Sequence, residues 1–427
     1  MADNTPASLQ NAIIYSVYVR AHTEEGTFLS IIPDLDRIRA LGTDIIWFLP
    51  IHPIGVKGKK GSLGCPYANR DYRAVNPAYG TREDFRTLCG EIHARGMKVM
   101  IDVVYNHTSP DAVLLDEHPE FYWRDENGEV GNKVGDWADV IDLDYRKSAL
   151  WDYQIESLRM WAGLVDGFRC DVAPFVPLEF WRRARAAVAE VNPDCIWLAE
   201  SVHMSFGNYV RREGFPCARD TELFDAFDIE YQYDIWESFE RVLDGEGSLR
   251  EFCDMLNMQE ALYRENYNKL RFLENHDQPR IAGRVSDERA LDNLTAMLFF
   301  LKGATLLYAG QEFSCAHTPS LFEKEVFPRD GRDLSAALAR LAKFKHAFLG
   351  GGFFTARAYD ERALAVMERS GIGLRAVGVF SLRGESGPVT VDVPDGEYPE
   401  WVRGGRVLVK NGQVFSAGEP LIFTLPR

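Results

Sequence analysis

Apolar positions along the chain repeat in one unit, a short β-branched or aromatic run followed by a stretch with apolar residues at helical spacing. The run at 13–19 precedes a segment in which Ile31, Leu35, Ile38 and Leu41 recur at three- and four-residue intervals before Gly42, and a second run follows at 44–49. This spacing predicts strand, helix, strand. The unit returns as a strand at 98–105 after a helix near 82–95, and as one at 164–171 after a helix with Trp151, Ile155, Leu158 and Ala162 on one face. A further strand at 195–200 follows a helix near 178–190. A weaker strand near 223–229, a helix opening at Ser248 with Glu251 as a capping box, a strand at 270–273, a helix near 287–302 and a strand at 304–309 bring the strands to eight.

Strands alternating with helices form parallel sheets. Eight of them, with no glycine-rich dinucleotide turn after the first, point to α/β architecture of the closed (β/α)₈ TIM-barrel kind rather than an open doubly wound sheet. The connections 51–81 and 106–145 are far longer than the few residues usual there. Both follow strands, which puts them on the face where barrels bind substrates. After Gly350-Gly351-Gly352 the pattern changes to short alternating strands at 363–368, 376–382 and 389–393 and a hairpin at Asn411-Gly412. The expectation is a catalytic barrel over 1–345, with a short excursion after strand three at 106–145, and a C-terminal antiparallel β-sandwich domain over 346–427. The three glycines read as a hinge, since a phosphate loop would need a strand before it and a helix after it.

Composition narrows the partners. With 64 acidic residues against 48 basic ones the formal charge is −16, which argues against nucleic acid or an anionic membrane surface. No apolar run reaches membrane-spanning length, and the opening MADNTPASLQ has neither the basic nor the apolar region of a signal peptide, so a cytoplasmic location is expected. The seven cysteines form no CxxC pair and read as reduced, packed thiols.

Four predicted strand ends carry polar groups where a barrel strand is normally apolar: DVVYNHTS at 102–109, DGFRCD at 166–171, WLAE at 197–200 and LENHDQPR at 273–280. A single acidic residue at a strand end reads as a helix cap or a solvated loop group; four such ends on one face do not. Arg169 and Asp171 are two apart on one strand, so their side chains share a side and the guanidinium should keep the carboxylate ionised, suiting Asp171 to be a nucleophile. Glu200 ends the apolar run Ile196, Trp197, Leu198, Ala199, a setting that raises a carboxyl pKa and suits a general acid. Neighbouring strands lie about 4.8 Å apart, which allows the roughly 5–5.5 Å carboxylate separation of retaining glycosidases.

These four segments, in this order, resemble the motifs of the α-amylase superfamily, glycoside hydrolase family 13, and the resemblance extends over the whole chain. It implies Asp171 as nucleophile, Glu200 as acid/base and Asp277 as the third carboxylate, which binds sugar hydroxyls and distorts the ring. It further implies that His107, Arg169 and His276 hold the reacting sugar, that Tyr67 in PYANRDY stacks on it, and that Arg280 lies beside that subsite. The partner implied is an α-linked glucose oligosaccharide or polysaccharide, with no cofactor required. Asn106 matches a calcium ligand of the family, so a structural calcium ion enters as an expectation. Asp125-Glu126-Asn127-Gly128 offers further oxygens but reads as a hairpin turn. Three departures bear on specificity. Ala68 stands where related exo-acting α-glucosidases place an aspartate, which favours an amylase or neopullulanase-like enzyme. Val172 follows the nucleophile as in members that accept α-1,6 bonds. VAPFVP at 172–177 lacks the usual histidine or lysine. The motifs are shared by hydrolases and transglycosylases, and a catalytically inactive barrel used as a binding module is the alternative from another class. Oligomeric state is not legible.

Overall fold

The computed structural model describes residues 5–135, 137–348 and 352–426. Eight parallel strands make one sheet: β1 Ile13–Val17, β2 Ile45–Phe48, β3 Lys98–Val103, β4 Gly167–Cys170, β5 Ile196–Ala199, β6 Ile229–Tyr231, β7 Lys269–Leu270 and β8 Thr305–Tyr308. Their order is β8-β1-β2-β3-β4-β5-β6-β7, and the ring closes where Arg271, just past β7, bridges Thr305 of β8. Every residue of β1, β2, β4, β5 and β8 is buried, as strands covered on both faces must be. Helices Arg82–Ala94, Ser148–Ala162, Leu178–Ala189 and Glu288–Phe300 fall where the spacing places them or close to it, and a further helix, Ser335–His346, follows β8.

The sequence misplaces the sixth strand. Residues Asp220–Leu223 form a helical turn, and the ladder begins only at Ile229. Polar partners decide this: the Asp220 carboxylate reaches the fully buried Lys269 ammonium at 2.7 Å, beside Glu230 at 3.1 Å, while Asp228 pairs with Arg185. An extended 220–228 could not deliver these contacts. The segment 28–41 is likewise two helices, Phe28–Ile31 and Leu35–Ala40, joined by a 3₁₀ turn at Pro33. The capping box at Ser248 is half formed. Ser248 Oγ accepts the Glu251 N–H at 3.2 Å, but its proton goes to Asp360 and the Glu251 carboxylate turns to Arg241 at 3.8 Å.

The C-terminal part is a β-sandwich. An antiparallel sheet of β9 Phe354–Tyr359, β10 Leu364–Ser370, β11 Leu374–Ser381 and β16 Leu421–Pro426 faces two small ladders, β12 Gly387–Thr390 with β15 Gln413–Ser416 and β13 Gly396–Pro399 with β14 Arg406–Val409. Asn411 and Gly412 both have positive φ, as a two-residue reversal requires, but the arms leave the turn to join different ladders rather than one hairpin. Alternation on β10 is two-sided: Leu364 and Val366 face the sandwich interior, while Ala365 and Met367 join the barrel's own core. Of the expected hinge, Gly350 and Gly351 lie outside the described residues. Among the described residues no helix is long and apolar enough to cross a membrane.

Gly303, in the turn leading into β8, has φ +120° and would place a Cβ 2.2 Å from the Lys269 carbonyl oxygen. Gly303→Ala is expected to lower stability by about 2–4 kcal/mol, through the forbidden backbone region and displacement of β7. Chemical denaturation of the two proteins measures it; an unchanged midpoint would show that the turn tolerates a side chain.

Candidate active site

The polar strand ends converge at the carboxyl-terminal mouth of the barrel, on a cavity of about 300 Å³ whose lining includes Tyr67, His107, Asp171, Glu200 and Asp277. At its floor is Arg169, fully buried on β4. Its Nη1 lies 2.9 Å from both Asp102 and Asp171, its Nη2 is 3.0 Å from Glu200, and its Nε donates to the Tyr231 hydroxyl at 3.3 Å. The two-residue spacing of Arg169 and Asp171 thus yields the contact it predicts, and one guanidinium spans the carboxylates of β4 and β5.

The charge state differs from the expectation at one point. Burial raises Asp171 to about 6, Arg169 pulls it down, and the neighbouring Asp102 pushes it up again, so the guanidinium does not hold it in the ordinary carboxylate range. Asp171 is still ionised at neutral pH. Glu200 follows the expected direction: burial is the largest cause, Arg169 opposes it, Asp171 and Asp277 add to it, and the carboxyl rises to about 8. Asp277 is the exposed member, with 42% of its side chain open at the mouth. Burial works against its charge, but His276, whose Nε2 lies 3.0 Å away, and Arg169 bring its pKa below the usual value. His107, 3.9 Å from Asp171, is pushed down to about 4 by burial and stays neutral.

Backbone strain fixes the acid. Val172, directly after Asp171, sits in the left-handed region with φ 35°, a conformation costing a β-branched residue roughly 1–3 kcal/mol. There its N–H donates to Glu200 Oε2 at 2.8 Å.

The remaining candidates separate into lining and support. Tyr67 lines the cavity, its hydroxyl 2.9 Å from Asp102 and 2.6 Å from His276, with the His276 ring stacked on it at 5.3 Å. His276 and Arg169 stand behind the lining. Arg280 does not reach the cavity, contrary to its expected place beside the sugar. Its Nη1 donates to the fully buried Glu274 at 2.6 Å, its Nη2 to the Ala309 carbonyl at 2.7 Å, and it lies over the Tyr308 ring. The buried Glu274 carboxylate claims this cation, and the pair braces the segment carrying His276 and Asp277.

Sequence reasoning gave no role to Asp102, the acid that joins Tyr67 to Arg169; an acid within the apolar run VMIDVV was the available signal. Trp47 and Tyr231, whose rings flank Arg169 at 5.3 Å, gave none, since buried aromatics on strands read as core. Lys60, Trp137, Asp139 and Phe322 also line the cavity and come from long connections.

Around Asn106, matched to a calcium ligand, the amide Nδ2 lies 3.3 Å from one Asp142 oxygen, and the other accepts the Lys133 N–H at 2.8 Å. Residues 125–128 form the hairpin turn, in which Asp125 accepts from Asn127 and Glu129. Among the described residues no cluster of three or more His, Cys, Asp or Glu is placed to hold a metal ion.

Comparison with known proteins agrees with this layout. The family described as "Alpha amylase, catalytic domain" matches residues 7–137 and 133–345, and the "Bacterial Alpha amylase C-terminal domain" matches 355–423. An α-amylase from Lactobacillus plantarum of known structure is 40% identical, with a TM-score of 0.94 over 98% of this chain and 100% of that one. The noncanonic maltogenic α-amylase AmyB from Thermotoga neapolitana is 34% identical, with a TM-score of 0.87 over 98% and 100%. The α-amylase MalA of Haloarcula japonica is 27% identical over 329 residues, 73% of this chain and 45% of that protein. The chain thus spans about half the length of the curated relatives it matches first.

Arg280→Ala would leave Glu274 buried without its partner. A loss of about 3–5 kcal/mol is expected, read as a lowered melting temperature. A variant as stable as the parent but with raised KM would instead return Arg280 to the substrate.

Proposed function

The chain belongs to the α-amylase catalytic-domain family, and on that premise we propose that it is a retaining glycoside hydrolase that cleaves α-glucosidic bonds, α-1,4 and also α-1,6, in maltooligosaccharides or α-glucans. The observation that carries this reading is the pairing of Asp171 and Glu200 around one buried guanidinium, with Glu200 raised to about 8 and Asp171 to about 6. Between those values one carboxyl holds its proton while the other is ionised, the division of labour that double displacement needs. Asp171 attacks the anomeric carbon as Glu200 protonates the departing glycosidic oxygen, leaving a glycosyl ester on Asp171. Glu200, now ionised, takes a proton from the water that opens the ester. Tyr67 offers a ring face to the sugar, and His107 and Asp277 offer polar atoms to its hydroxyls.

One observation favours a second reading, transfer of the glycosyl unit to a sugar acceptor. Trp137 from the excursion packs with Phe175 and Phe206, ring centroids 6.4 and 6.3 Å away, making an aromatic wall next to Val172. Such a wall stacks a sugar and excludes water. Maltoheptaose products with and without added glucose distinguish the two; chiefly lengthened oligosaccharides would establish transfer.

The activity profile is expected to be a bell centred near pH 7. Below about 6 Asp171 takes up a proton and ceases to be a nucleophile, and above about 8 Glu200 loses the proton it must donate. Glu200→Gln should reduce kcat on unactivated glucans by at least about 10³-fold, and on an aryl α-glucoside should abolish the alkaline limb. Proton NMR of the first product tests the mechanism: the α-anomer is expected, and initial β-anomer would overturn retention. A panel of maltose, isomaltose, panose, pullulan, cyclodextrin and starch, followed by chromatography, resolves linkage.

A further inference from the structure

Three connections on one side of the barrel mouth are fastened to one another across the cavity. The Ser62 N–H and hydroxyl, in the connection after β2, both donate to the Glu323 carboxylate in the connection after β8, the former at 2.7 Å. The Leu63 N–H donates to the Phe322 carbonyl at 3.0 Å. From below, the buried Arg20 guanidinium donates to the carbonyls of Gly64 at 3.2 Å and Leu321 at 3.3 Å, tying the same two connections. Gly61, at φ +62°, would place a Cβ 2.6 Å from that of Phe322, so no other residue fits the junction without displacing it. Toward the excursion, Lys60 Nζ pairs with Asp139 at 2.8 Å, the Asp139 side chain being only 4% exposed.

The position of this wall relative to the chemistry follows from barrel order. Strands β8, β1, β2 and β3 are consecutive neighbours, and β5, which ends at Glu200, is on the opposite arc. A general acid stands beside the bond it protonates, so the leaving part of the substrate departs on the Glu200 side. Lys60, Asp139 and Phe322 line the same cavity as Glu200, so the fastened connections bound it on the arc away from that acid. At about 300 Å³ the cavity is at the lower limit for small-molecule sites, small for a long run of glucose units.

We propose that this wall, centred on the Lys60–Asp139 ion pair, ends the cleft just past the reacting sugar, so that the protein attacks α-glucans from their non-reducing ends and releases products of one fixed, short length. The inference rests on the α-glucan activity proposed above. It also supplies what the buried Ala68 does not: the ammonium of Lys60 and the desolvated carboxylate of Asp139 are charged partners for the hydroxyls of a terminal sugar.

Maltoheptaose labelled at its reducing end and sampled before a tenth is consumed tests the proposal. The wild type is expected to give labelled chains shortened by one fixed step, with a single unlabelled product of one or two glucose units. Lys60→Ala, and separately Glu323→Gln, should raise the share of longer unlabelled fragments at least fivefold, with folding checked by melting temperature. Labelled chains of every length from the earliest samples, or variants with the wild-type product distribution, would overturn the wall as the determinant of length. Absence of cleavage of any α-glucan would overturn the activity itself and this inference with it, an outcome distinct from internal cleavage.

Discussion

A guanidinium without solvent contact at the centre of a barrel is tolerable only if its surroundings replace water. Arg169 is held by Asp102, Asp171 and Glu200 and enclosed by the rings of Trp47, Tyr67 and Tyr231. One cation among three acids leaves an excess of negative charge in a poorly polarisable place. The molecule relieves that excess by keeping a proton on the acid with the least compensation, Glu200. The same contact therefore sets the spacing of Asp171 and Glu200 and decides which of them carries the proton.

The layer behind this contact keeps it from relaxing. Val172 is kept in an unfavourable conformation that aims its N–H at Glu200. Glu274 and Arg280 secure the segment that presents His276 and Asp277, and His276 in turn bonds the Tyr67 hydroxyl. Tyr67, Asp171 and Asp277 are thus each held by a buried neighbour, Asp102, Arg169 and His276, the form of preorganisation that electrostatic catalysis relies on.

The barrel was legible because its strands are apolar runs separated by helices of ordinary spacing, and the polar groups at the cavity were legible because charge at a strand end interrupts such a run. Residues 220–231 were misread because the apolar pattern LFDAFDIEY suits a strand beginning earlier, and only the buried Lys269, brought from the next strand, shows that Asp220 must turn back. Arg280 was misassigned for a related reason: its partner Glu274, six residues before it, looked like any other polar group in LENHDQPR until burial showed that it needed a cation. The wall of the cavity was not legible at all. Lys60, Asp139 and Glu323 come from irregular connections far apart in the chain, and no local periodicity records which of them meet.

The two-sided burial of β10 has a thermodynamic consequence for the whole chain. Phe380 on β11 packs on Phe300, the last residue of the helix Glu288–Phe300, Phe300 stacks on Phe344, and Trp401 packs on Phe344 in turn. The apolar interior is therefore continuous across what the strand pattern divides into two parts. Neither part can open without wetting the other's aromatic residues, so both draw on one reserve of stability, and heat should dissolve them in a single cooperative transition.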